Sequence, residues 1–150
     1  MPSIRSQVNN VPVVLQADIT NSTTTLLDTA LSFPALPNST YLVEGLLRYD
    51  AAAGTTGALF NVRGAGITSV SGLIANNDTT TTVRNFATNV TTAPSAATAG
   101  GYTNGNTCKI ELLVTTTTNS ATPTISFASE VASSAITLKS GSFIRYTKIA

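Results

Sequence analysis

The sequence predicts an all-β fold: a single-domain antiparallel β-sandwich, jelly-roll-like, with about eight to ten strands. Three observations predict it. β-Branched Thr dominates with 27 residues, while the helix formers Glu and Lys supply three each, a balance that suits strands. No long segment places apolar residues at helical spacing. Turn signals recur at short intervals, among them Pro37-Asn38, Gly64-Ala65-Gly66, Asn76-Asn77-Asp78, Asn104-Gly105 and Ser140-Gly141, as expected of many short strands.

Each element has its own signal. Val11–Ile19 and Thr24–Leu31 read as a hairpin turning at Asn21-Ser22. Tyr41–Tyr49 alternates strictly: Tyr41, Val43, Gly45, Leu47 and Tyr49 take one face, and Leu42, Glu44, Leu46 and Arg48 the other. Leu59–Val62 is a short strand before a Gly-rich turn, and Ile67–Ile74 and Thr80–Phe86 are weaker strands. Ile110, Leu112 and Val114 alternate with Lys109, Glu111 and Leu113, the clearest period of two in the chain. Ile125 and Phe127 continue the pattern after Pro123, with Ser126 and Ala128 opposite. Ile136 and Leu138 flank Thr137. In the last strand Ile144 and Tyr146 share a face, against Phe143, Arg145, Thr147 and Ile149. Residues 87–107 are almost wholly Ala, Thr, Gly, Asn and Ser and read as a long surface loop. Residues 1–10 read as an N-terminal arm ahead of a β-sandwich domain over 11–150.

Composition narrows the chemistry. Five small or polar types (Thr, Ala, Ser, Asn, Gly) fill 83 of 150 positions, and only 10% of residues are charged. There is no His and a single Cys, so the usual general base and a thiolate metal site are absent. A net charge of +1 cannot coat a phosphate backbone, so no nucleic-acid partner is expected. The apolar runs are far too short to span a membrane, and Met1–Arg5 leads into no apolar signal segment. An apolar fraction of 42% nonetheless suffices for a core at this length. Near-zero net charge favours association.

No constellation points to catalysis. The seven carboxylates (Asp18, Asp28, Glu44, Asp50, Asp78, Glu111, Glu130) form no local pair of the glycosidase kind, and Glu44 and Glu111 read as solvated strand faces. Lys139 and Ser140 are adjacent, which on a strand sends them to opposite faces. Cys108 has no local base and reads as a small buried residue. Gly64-x-Gly66 lacks a following helix and is a turn rather than a phosphate cradle. Asn77-Asp78 holds too few ligands for a calcium loop, although calcium between subunits would find many oxygen donors. Four Asn-x-Ser/Thr sequons, at Asn21, Asn38, Asn77 and Asn89, follow from composition alone. No enzyme activity and no cofactor are expected.

The terminal segment from Ile136 to Ile149, with Ser140-Gly141-Ser142-Phe143-Ile144-Arg145-Tyr146, resembles the closing strand pair of small jelly-roll domains in tailed-bacteriophage virion proteins. The stretch Pro37–Tyr49, with Tyr41-Leu42-Val43-Glu44-Gly45, is similar to an early strand of the same modules. Together these cover about 30 of the 150 residues. The resemblance implies a tumour-necrosis-factor-like jelly roll that homotrimerises and decorates the outside of a phage head as a cement protein. Its partners would be the major capsid protein and copies of itself. It would be made in the host cytoplasm and end on the virion. Ile4, Arg5 and Val8 of the arm are the candidate contacts to the capsid or a neighbour. The alternative is a tail or fibre domain that recognises host glycans through Tyr102 and the 87–107 loop.

Overall fold

Alternation over Tyr41–Tyr49 becomes the longest strand among the described residues. The computed structural model describes residues 11–77 and 103–150. Among these it contains ten strands and no helix: β1 (Val13–Val14), β2 (Ile19–Asn21), β3 (Leu27–Ser32), β4 (Thr40–Ala51), β5 (Ala58–Arg63), β6 (Ile67–Asn77), β7 (Asn106–Thr116), β8 (Thr124–Ser129), β9 (Ile136–Leu138) and β10 (Phe143–Lys148). They form two antiparallel sheets around one core, the sandwich expected from the sequence. Sheet A runs β1-β10-β4-β7-β6, with β9 joining β2 to the far end of β4. Sheet B runs β3-β8-β5.

The pairings are nested. β1 pairs β10, β2 pairs β9, β3 pairs β8 and β4 pairs β7, all antiparallel. The chain is thus a two-stranded ribbon folded over so that its β1–β10, β2–β9 and β4–β7 stretches lie in sheet A and its β3–β8 stretch lies in sheet B. A ribbon wrapped this way buries one side of each strand, which is why period-two alternation is the dominant sequence signal.

β4 carries the sheet. Its full face of Tyr41, Val43, Leu47, Tyr49 and Ala51 is buried. One edge pairs with β7 from Thr40 to Tyr49. The other pairs with β10 over Tyr41–Leu46 and with β9 over Tyr49–Ala51. Between β9 and β10 the chain bulges away, and Ser142 fills the gap. The Arg48 amide donates to Ser142 Oγ at 2.9 Å, and that hydroxyl donates to the Arg48 carbonyl at 3.3 Å. A buried hydroxyl therefore substitutes for a missing ladder position.

Aromatic rings join the sheets. Tyr49 of β4 meets Phe60 of β5 edge-on at 5.3 Å, and Phe60 stacks towards Phe127 of β8 at 6.4 Å. At the other end Phe33, just past β3, stacks on Tyr146 at 4.4 Å and tilts against Tyr41 at 5.3 Å. The fully buried rings among these, Phe33, Tyr49, Phe60 and Phe127, each contribute about 1.5–3 kcal/mol by leaving water.

The expected hairpin between Val11–Ile19 and Thr24–Leu31 does not form. β1 and β2 join sheet A, whereas β3 joins sheet B. Buried Asn21 directs this crossing. Its amide donates to the Thr25 carbonyl at 2.9 Å and to the Phe127 carbonyl at 3.0 Å, and its oxygen accepts from the Thr23 amide and hydroxyl. The turn is pinned to β8 instead of closing a two-residue hairpin. The expected loop over 87–107 also ends earlier, since Asn106 and Thr107 already belong to β7. The expected arm at 1–10, the expected strand at Thr80–Phe86 and the rest of that loop lie outside the described residues.

Gly45 of β4 lies opposite Ile144 of β10. A Cβ there would meet the Phe143 carbonyl oxygen at 2.5 Å and Ile144 Cγ2 at 3.0 Å. The obstacle is backbone, so it cannot swing aside. Gly45→Val is expected to lower stability by about 1–3 kcal/mol, the usual range for overpacking. Urea unfolding of the two proteins reads it as a lower midpoint at similar slope, and an unchanged midpoint would contradict the β4–β10 register.

Candidate interaction face

The strand phases that bury one side of sheet A leave the other side to solvent, and that outer face is unusually apolar. The register sets its rows. Val14, Phe143, Leu46, Lys109 and Ala75 lie side by side across β1, β10, β4, β7 and β6. The next row is Arg145, Glu44, Glu111 and Leu73, and the next Thr147, Leu42, Leu113 and Ser71. Leu46 is 39% exposed, Leu113 41% and Val14 37%. Phe143, Leu42 and Leu73 are partly exposed beside them. Glu44, Leu46, Lys109, Phe143 and Arg145 rim a shallow depression over the β4 backbone.

The charges of this face are unevenly matched. Lys109 Nζ reaches Glu111 Oε2 at 3.0 Å. Glu44 stands directly opposite Glu111 across the β4–β7 pair, an arrangement of like charges that costs stability. Arg145 is opposite Glu44 on the other side, yet its guanidinium lies over the Phe143 ring, 5.7 Å from the centroid, at the distance of a cation–π contact. No ion pair involving Glu44 or Arg145 occurs among the described residues.

The other singled-out residues have structural partners. Lys139 Nζ pairs with Asp18, and with Asp50 at 3.6 Å, while the Ser140 amide donates to Asp18 Oδ1 at 2.8 Å. The Gly105 amide donates to Asp50 at 3.0 Å. Lys139 is thereby held protonated by two carboxylates, the opposite of what a base for a neighbouring Ser requires. Its hydrogen bond to Asp18 raises the ammonium pKa and, with the Ser140 amide, holds the Asp18 carboxyl below the usual carboxylate range. Cys108 is fully buried on the inner side of β7, and burial alone pushes its thiol far above its ordinary pKa. Gly64-Ala65-Gly66 forms the turn from β5 to β6. Tyr41 and Tyr49 are buried, and Tyr146 packs against the core. Glu130 accepts from the Gly57 amide at 2.6 Å, and Asp28 pairs with Arg63 at 2.7 Å. No group of three or more potential metal ligands occurs among the described residues. Ile4, Arg5, Val8 and Tyr102 lie outside the described residues, as does Asp78.

The exposed face had a signal in the sequence. Leu42, Leu46 and Leu113 occupy the phase of their strands that charged residues share. An alternating strand with Leu in both phases buries one set and must expose or dock the other. No family model, no curated protein and no solved structure matches the chain.

The Lys139–Asp18 pair makes stability depend on pH at both ends of the scale. The lowered Asp18 pKa stabilises the fold above the ordinary carboxylate pKa, and that contribution is lost as pH falls through the lowered value. The raised Lys139 pKa stabilises below the ordinary lysine pKa, and that contribution is lost as pH rises through the raised value. Lys139→Met is therefore expected to flatten both shoulders of the curve of unfolding free energy against pH. Superimposable curves for the two proteins would show the pair to be inert.

Proposed function

We propose that this chain is a structural protein of a bacteriophage virion, a decoration or cement protein that homotrimerises and sits on the outside of a phage head, without catalysis. The observation that carries this reading is the outer face of sheet A: broad, nearly neutral and lined with half-exposed Leu, Val and Phe. Surfaces of that kind mark sites of association with other proteins. The nested pairing of β1–β10, β2–β9, β3–β8 and β4–β7 supports the jelly-roll form of the reading. So does the resemblance of the Tyr41–Gly45 and Ser140–Tyr146 segments to strands of phage virion modules. A net charge of +1 lets identical copies approach without long-range repulsion. A cement protein needs a matching surface repeated by symmetry, and multivalent contact then multiplies a modest affinity by orders of magnitude.

The test is the mass of the purified protein by light scattering, together with electron microscopy of phage heads incubated with it. The expected result is a species of about 46 kDa, three times the 15.4 kDa chain, and added density on the head surface. A strict monomer that leaves the heads bare would overturn the reading.

A further inference from the structure

We infer that the outer face of sheet A is the surface through which two copies of this chain meet, with Arg145 of one copy set against Glu44 of the other. The inference rests on the self-association in the reading above and assigns it a surface.

Size is the first reason. Five adjacent strands about 4.8 Å apart, the longest of them rising about 3.3 Å per residue over 11–12 residues, present on the order of 800 Å². That is what one partner contributes to an interface of standard size. The depression over Gly45 alone would hold only a small group, whereas the whole face is large enough to be shared with neighbouring copies about a three-fold axis, Arg145 of each set against Glu44 of the next.

Charge decides what kind of partner fits. The face carries Arg145, Lys109 and the exposed Arg48 against Glu44 and Glu111, so its net charge is small. A nucleic acid or an anionic lipid surface would find little net attraction there. A second copy brings the same cations and anions. Glu111 has Lys109 within its own chain, but Glu44 faces Glu111 and has no cation paired with it among the described residues. Arg145 is not committed to a carboxylate either, and its side chain lies along Phe143 at the edge of the depression. One chain thus offers both halves of an ion pair that a second chain would complete. Burying the leucines around it would exclude water and strengthen it. The guanidinium would keep its aromatic support while gaining a carboxylate, a combination suited to Arg rather than Lys.

The experiment is a charge exchange on the full chain. Glu44→Arg and Arg145→Glu are both changes at exposed positions, so the fold is expected to survive, as circular dichroism and thermal melting would report. Each single variant is expected to weaken self-association roughly tenfold or more, read as a shift to monomer by light scattering across a dilution series. The double variant restores opposite signs across the contact in any symmetric arrangement and is expected to regain the oligomer. Single variants that remain as oligomeric as the wild type would overturn this inference and leave the proposed function standing. Single variants that dissociate with a double variant that does not recover would refute the Arg145–Glu44 contact. A monomeric wild type would remove both the inference and the reading beneath it.

Discussion

The rest of the structure depends on β4 being hydrogen-bonded along both of its edges. An interior strand of twelve residues has a fixed position on each side, so its neighbours inherit their register from it. β7 lies along one edge for ten residues, and β10 and β9 share the other. Sheet B reaches this strand through the ring of Tyr49 against Phe60. The outer face takes its rows from the same registers, since Leu42, Glu44, Leu46 and Arg48 lie in the phase that β4 leaves unburied. Core and candidate interface are two sides of one pairing pattern.

The composition acquires a physical meaning in this frame. A protein with so few charges must satisfy its backbone at crossings and bulges by other means. Here short polar side chains do it. Asn21 ties β2 to β8, the Thr29 hydroxyl donates to the Ile125 carbonyl at 2.8 Å, and the Thr116 hydroxyl donates to the Leu36 carbonyl at 2.6 Å while accepting from the Ser39 amide. Ser142 closes the ladder beside Arg48. These groups are small enough to be buried with their partners and carry no charge to desolvate. Thr, Ser and Asn are therefore part of the framework, and charge is left to a few exposed pairs.

How much of this is legible in sequence follows from what alternation encodes. Period two in Tyr41–Tyr49, Ile110–Val114 and Phe143–Ile149 identifies strands and sorts their residues onto two faces, and β4, β7 and β10 keep that sorting. Alternation does not encode which strand is the neighbour. The segment before Leu31 therefore reads locally as a hairpin, because nothing local reveals that Asn21 reaches a carbonyl 106 residues away. The bulge between Leu138 and Phe143 was legible only as a turn at Ser140-Gly141, since its continuity with β4 depends on the tertiary position of Ser142. For the interaction face, Leu42, Leu46 and Leu113 could be seen in the polar phase of their strands. Their convergence with Phe143 and Val14 required the register. Charge pairing was equally hidden, because Glu44 and Glu111 become neighbours only across β4 and β7.

The claim that β4 is the structural centre is tested most directly by native-state hydrogen exchange of the isotopically labelled protein. The amides of Val43–Tyr49 and their partners in β7 are expected to exchange last, through global unfolding alone, while those of β3 and β5 at the margins of sheet B open earlier. Amides of β4 that exchanged before those of β3 and β5 would contradict it.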